Sequence, residues 1–136
     1  MQLPAEIAEQ IAAAVLALHP AGGWPDEVGH RYSAIPLYAD IGGAVLLRAD
    51  GVFLELEWDQ AIERSPRERS DLTSTVPLVA GAERYPWLKA LLPVRPRDAR
   101  PCATCRGLGS IALTNGSSRI FCGDCGALGW IAERNG

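Results

Sequence analysis

Four cysteines are the residues of this chain whose type and spacing point most directly to a defined chemistry. Cys102-Ala-Thr-Cys105 and Cys122-Gly-Asp-Cys125 give C-x2-C-x16-C-x2-C, a spacing expected of tetrathiolate zinc sites. A C-x-x-C turn brings two sulfurs to about 3.7 Å, close enough to share one tetrahedral ion with Zn–S bonds of about 2.3 Å. Bending the backbone that tightly favours residues tolerant of positive φ just after the second cysteine. Gly126 follows Cys125 directly and Gly107 follows Cys105 by two. The spacing therefore predicts one structural Zn2+ held by Cys102, Cys105, Cys122 and Cys125. Four thiolates complete the coordination sphere and leave no position for a water, which argues against a catalytic zinc. Two disulfides would need an oxidising compartment. A redox C-x-x-C would need a βαβ context and would leave the second motif unexplained.

The elements that must position these sulfurs are legible in the spacer. Ser110-Ile-Ala-Leu-Thr, Asn115-Gly116 and Ser117-Ser-Arg-Ile-Phe121 read as a hairpin about a favoured Asn-Gly turn. Such a hairpin carries the second C-x-x-C back beside the first, the logic of a zinc ribbon. A module this small has too little core to fold alone, whereas metal binding supplies on the order of 10–16 kcal/mol. Cys102-Ala-Thr-Cys105-Arg-Gly107-Leu-Gly109 matches C-x-x-C-x-G-x-G, and Cys122-Gly-Asp-Cys125-Gly-Ala-Leu-Gly129 keeps the cysteines and the final glycine, with Ala127 replacing the other. In this the segment resembles half of the cysteine-rich zinc domain of DnaJ-type co-chaperones, which pairs four such repeats around two zinc ions. The resemblance implies zinc ligation by the same four cysteines. No J-domain signature accompanies it: His19-Pro20 is followed by Ala21, so the His-Pro-Asp tripeptide is absent.

Upstream, Leu3, Ile7, Ile11, Val15 and Leu18 recur at helical spacing and predict a helix over residues 4–18, with Pro4 at its first turn and Glu6 and Glu9 at the positive end of its dipole. Residues 21–36 read as loop from Gly22, Gly23, Pro25, Gly29 and Pro36. Ala44–Ala49 and Val52–Trp58 read as two strands about Asp50-Gly51. A two-residue loop there pairs Leu47 with Leu54 and Val45 with Leu56, giving one buried face and one wet face bearing Arg48, Glu55 and Glu57. Residues 36–41 can add a third strand. Residues 59–75 are charged, with 65–70 an exposed loop, and helix returns over 77–84 and 86–92. Ile35-Pro-Leu-Tyr-Ala-Asp-Ile-Gly-Gly43 followed by the Asp50-Gly51 hairpin is similar to the central hairpin of the SUKH superfamily of immunity and regulatory proteins.

Pro93-Val-Arg-Pro-Arg-Asp-Ala-Arg-Pro101 reads as a linker. The expected architecture is thus α+β: a small antiparallel sheet with helices over residues 1–96, then a C-terminal zinc ribbon over 97–136. The first part carries 8 basic and 13 acidic residues, the second 5 and 3. The composition, 48% hydrophobic and 21% charged, excludes a disordered or fibrous chain. The overall charge of −3 makes no strong case for nucleic acid, and no apolar run approaches the roughly 20 residues of a membrane span. Glu6 and Glu9 before the apolar stretch 11–18 are wrong for an export signal, so the expected compartment is the cytoplasm. Twelve arginines to one lysine, with abundant alanine, suggest a GC-rich bacterial source.

Other motifs have simpler explanations. Gly107-Leu-Gly109-Ser-Ile-Ala112 fits a dinucleotide fingerprint but lies in the knuckle, with no strand before it and no helix after. Asn115-Gly116-Ser117 is a sequon explained by the turn. Glu55, Glu57 and Asp59 read as a solvated strand face, and His19 and His30 have no catalytic neighbour. Trp24, Trp58, Trp87 and Trp130 read as core or edge anchors. The sequence predicts no enzyme. It predicts a zinc-binding protein–protein interaction or regulatory module. Its alternatives are a nucleic-acid-binding ribbon using Arg97, Arg100, Arg106, Arg119 and Arg134, or a SUKH-like immunity inhibitor.

Overall fold

The computed structural model describes residues 1–59, 62–113 and 118–132. It divides the chain into two compact units, Met1–Thr73 and Ser74–Gly136. The expected boundary at 96/97 falls inside the second unit, because the helical residues 76–91 group with the cysteine region.

In the first unit, α1 (Ala5–Leu16) and α2 (Asp26–Tyr32) precede a meander of β1 (Ala34–Ala39), β2 (Gly43–Arg48) and β3 (Phe53–Asp59), with β4 (Ile62–Glu63) and β5 (Arg67–Arg69) both pairing with β3. Every pairing is antiparallel. α1 is shorter than the expected 4–18: Ile7 and Ile11 of the expected stripe are buried within it, Val15 is half-buried, and Leu18 is buried just beyond its end. By contrast, α2 and the start of β1 lie where the glycines and prolines suggested loop. Gly29 is inside α2 because a Cβ there would come within 2.7 Å of both Ala34 O and Leu18 Cδ1. It is a close-approach glycine, not a turn glycine. Ser33 takes the left-handed conformation (φ 53°) that ends α2.

The β2–β3 hairpin is real, but its register differs by one residue from the expected pairing. Leu46 faces Leu54 and Leu47 faces Phe53. The turn spans Ala49–Gly51, with Gly51 N–H donating to Arg48 O (3.0 Å) and Arg48 N–H to Val52 O (2.9 Å). Gly51 at φ 87° supplies the bulge that follows such a turn. A one-residue slip exchanges faces. Ala44, Leu46, Leu54 and Leu56 therefore share one face with Val28 of α2 and Ala34, while Leu47, Phe53 and Ile35 are fully buried on the other. The sheet is thus covered on both sides over this stretch, not on one. Arg48 lies on the face opposite Glu55 and Glu57 and pairs with Asp50 and Glu68. The expected exposed loop 65–70 contains β5, whose Arg69 Nε lies 3.0 Å from Glu55 Oε1.

In the second unit, α3 (Val76–Arg84) leads to a 3-10 helix over Pro86–Leu91 in place of the expected α-helix. Two short ladders follow: β6 (Arg100–Pro101) with β9 (Trp130–Ile131), and β7 (Ser110–Ala112) with β8 (Arg119–Phe121). The β7–β8 pairing is the expected hairpin; its Asn115-Gly116 turn lies outside the described residues. No helix among the described residues is long and apolar enough to cross a membrane.

Candidate metal centre

The four-cysteine cluster is built from one local structure made twice, twenty residues apart. In the first knuckle Gly107 N–H donates to Cys102 O (3.0 Å) and Leu108 N–H to Cys105 O (3.2 Å); in the second Ala127 N–H donates to Cys122 O (2.8 Å) and Leu128 N–H to Cys125 O (3.2 Å). Each knuckle then closes on the other. Cys102 N–H donates to Gly129 O (3.0 Å), and Cys122 N–H to Gly109 O (2.9 Å). The strands obey the same two-fold relation, β6 and β7 corresponding to β8 and β9.

Two successive residues after each second cysteine have positive φ: Arg106 (55°) and Gly107 (80°), then Gly126 (63°) and Ala127 (65°). The expectation of positive φ there holds, but two of the four positions are not glycine. Gly109 and Gly129, also at positive φ, sit where the knuckles meet. A Cβ would lie 2.5 Å from Ala127 O in the first case and 2.6 Å from Gly107 O in the second.

This framework puts all four cysteines together. Each is buried, and their sulfurs all lie within 4.8 Å of one another. Cys102 and Cys122 Sγ are 3.9 Å apart, and Cys105 and Cys125 Sγ 3.7 Å. A disulfide needs about 2.05 Å, whereas a tetrahedral ion with Zn–S bonds of about 2.3 Å sets its sulfurs about 3.75 Å apart. Gly109 N–H donates to Cys105 Sγ and Gly129 N–H to Cys125 Sγ, both at 3.2 Å, orienting donors toward sulfurs that carry charge when ligating. The cluster can hold a metal ion, and its soft, closed donor set suits Zn2+.

Cys105 and Cys125 are shifted in opposite directions. Desolvation pushes Cys105 up, but the Gly109 N–H bond and the neighbouring thiols outweigh it and bring it down to about 7. At Cys125 desolvation dominates, opposed by the Gly129 N–H, and the Cys105, Cys122 and Cys102 sulfurs push it further, to about 12. Four thiolates this close need a cation among them.

Thr75, which precedes α3, was missed by sequence reasoning. Its Oγ1 donates to Gly126 O at 2.5 Å, tying α3 to the second knuckle. No local motif marks it; the only sequence trace is Gly126, where a Cβ would lie 2.1 Å from Thr75 Oγ1. Across the knuckles Thr104 Oγ1 donates to Asp124 Oδ2, joining the two C-x-x-C turns through their middle residues. The remaining candidates have ordinary settings. Glu55 pairs with Arg69, and His19 Nδ1 lies 2.8 Å from Ala21 O. Trp58, Trp87 and Trp130 are half-buried, and Trp24 is exposed. Gly107–Gly109 leads into a strand and not a helix, so the dinucleotide fingerprint has no structural counterpart.

No family model matches the chain, and no curated protein or solved structure does either. The DnaJ-type and SUKH resemblances therefore rest on the quoted residues alone.

Proposed function

We propose that this chain is a non-enzymatic binding protein of the bacterial cytoplasm whose C-terminal segment is a zinc ribbon. One structural Zn2+ is held by Cys102, Cys105, Cys122 and Cys125, and the partner is another protein. The observation that carries the reading is the closure of four buried sulfurs within 4.8 Å by two matching knuckles. A closed thiolate sphere organises a surface and does not activate water. A reducing compartment keeps the four thiols available as ligands.

Cobalt substitution of the full, reduced chain tests the site. A tetrahedral four-thiolate site gives intense sulfur-to-cobalt absorption that zinc bleaches. Weak octahedral bands, or no uptake, would contradict the assignment. A nucleic-acid-binding ribbon is the second reading, favoured by the exposed Arg97, Arg100, Arg106 and Arg119. It requires binding to DNA or RNA that weakens steeply with salt.

A further inference from the structure

We infer that the protein partner is an acidic segment carrying apolar anchors, and that it docks in a groove beside the cysteine cluster, in the unit Ser74–Gly136. This inference rests on the binding-protein reading above.

The two units carry opposite charge. With the units divided at 73/74, the first holds 5 basic and 12 acidic residues, a balance of −7, and the second 8 basic and 4 acidic, a balance of +4. The whole-chain value of −3 hides two opposed objects. In the first unit Arg31, Arg48 and Arg69 are each paired with a carboxylate. In the second, Lys89, Arg95, Arg97, Arg106 and Arg119 stand exposed.

A groove lies between α3 and the cysteine module within the second unit. It encloses about 430 Å³ and is lined by Val79 and Glu83 of α3, with Leu108, Arg119, Ile120 and Phe121 from the cysteine module. Leu108 is 69% exposed and Ile120 51%, so aliphatic surface is open to an incoming side chain. Arg119 is held for recognition: its Nε donates to Ser110 Oγ (2.7 Å) and its Nη2 to Ser110 O (2.8 Å). Those bonds use two of five donors and fix the guanidinium, leaving the others for a carboxylate. A second hollow, about 250 Å³, shares Leu108 and Arg119 and adds Arg106. Cationic and aliphatic side chains therefore line both hollows, which share residues.

The kind of apolar surface separates this partner from a nucleic acid. Single strands are held largely by bases stacking on flat aromatic faces. Here the strongly exposed groups are the aliphatic Val94, Leu108, Leu113, Ile120 and Ile131, while Trp87, Phe121 and Trp130 are half-buried. Glu83 on the groove wall can accept a backbone N–H from a peptide.

Fluorescence anisotropy on the full, zinc-loaded chain tests this. The probes are a labelled peptide alternating Asp/Glu with Leu/Phe, its Asn/Gln counterpart, and an oligo-dT strand. The acidic peptide is expected to bind, with the amide counterpart and the Arg119→Glu variant each weakening it about tenfold or more. Ile120→Ser, at an exposed position of β8 outside the knuckles, should weaken it by a similar factor with zinc content unchanged. Equal binding of the acidic and amide peptides, tighter binding of oligo-dT, or wild-type affinity in both variants would overturn the inference. Metal is measured on the same samples. A wild-type chain without zinc fails the zinc reading, whereas a zinc-loaded chain that ignores the acidic peptide fails this inference alone.

Discussion

Two glycine-to-alanine substitutions six residues apart should have opposite consequences for metal affinity. Gly129 has φ 85°, and a Cβ there would lie 2.6 Å from the backbone oxygen of Gly107. Left-handed backbone costs an alanine about 1–2 kcal/mol. Forcing a methyl against a backbone atom that is itself held in the other knuckle costs about 1–3 kcal/mol more. Alanine restricts the unfolded chain, which offsets about 0.4–1 kcal/mol. The net is a loss of about 1 to 4.6 kcal/mol, and because metal binding and folding of such a module are one event, it appears as zinc affinity about 5- to 2,000-fold weaker. The position cannot relax easily, since Gly129 also donates to Cys125 Sγ and accepts from Cys102 N–H. Gly123, inside the second C-x-x-C, has no neighbour within 4 Å of a Cβ and no positive φ. Gly123→Ala should leave affinity unchanged or tighten it by the unfolded-state effect alone. Competition against a chromophoric chelator at constant pH measures both. Equal affinities for the two variants would refute the claim that the knuckles meet through Gly109 and Gly129.

Arg106→Gly relieves a positive φ of 55° at an exposed position with little packing to lose. Strain relief of about 1–2 kcal/mol less the unfolded-state cost of glycine leaves zinc bound about two- to fivefold tighter in the same competition assay. In the first unit, the Arg48 side chain holds the Asp50 carboxyl below its usual range, helped by the Val52 N–H. A carboxylate favoured in the folded state adds stability above its unfolded pKa, and that contribution disappears as pH falls through the lower folded value. Asp50 is 54% exposed, so Asp50→Asn should cost no more than about 1 kcal/mol at neutral pH. The difference should vanish in acid, as urea midpoints of the two proteins across pH will show.

The cysteine cluster was legible because its signal is local: ligand spacing, glycine within two residues of the second cysteine of each motif, and a strand pattern between the motifs. The β7–β8 hairpin followed from the same stretch. What escaped the sequence depends on contacts between distant segments. Gly29 and Gly43 look like breakers, yet they lie in α2 and β2, where a Cβ would meet Ala34 O at 2.7 Å and Leu56 O at 2.0 Å. Only the fold reveals those neighbours. The β2–β3 slip arose because Asp-Gly serves both two- and three-residue turns, and Gly51 takes the bulge position here. Apolar residues at both even and odd positions of Val45–Leu47 could not arbitrate, since this stretch is buried on both faces. Thr75 was invisible because its partner, Gly126, is 51 residues away.

The central claim meets its most direct test in elemental analysis of the full chain, purified under reducing conditions and dialysed free of loosely bound metal. The structure predicts one zinc per chain, falling to a small fraction in Cys102→Ser and in Cys122→Ser, whose sulfurs are the two fully buried ones. Wild-type protein with no stoichiometric metal, or serine variants that retain full zinc, would contradict it.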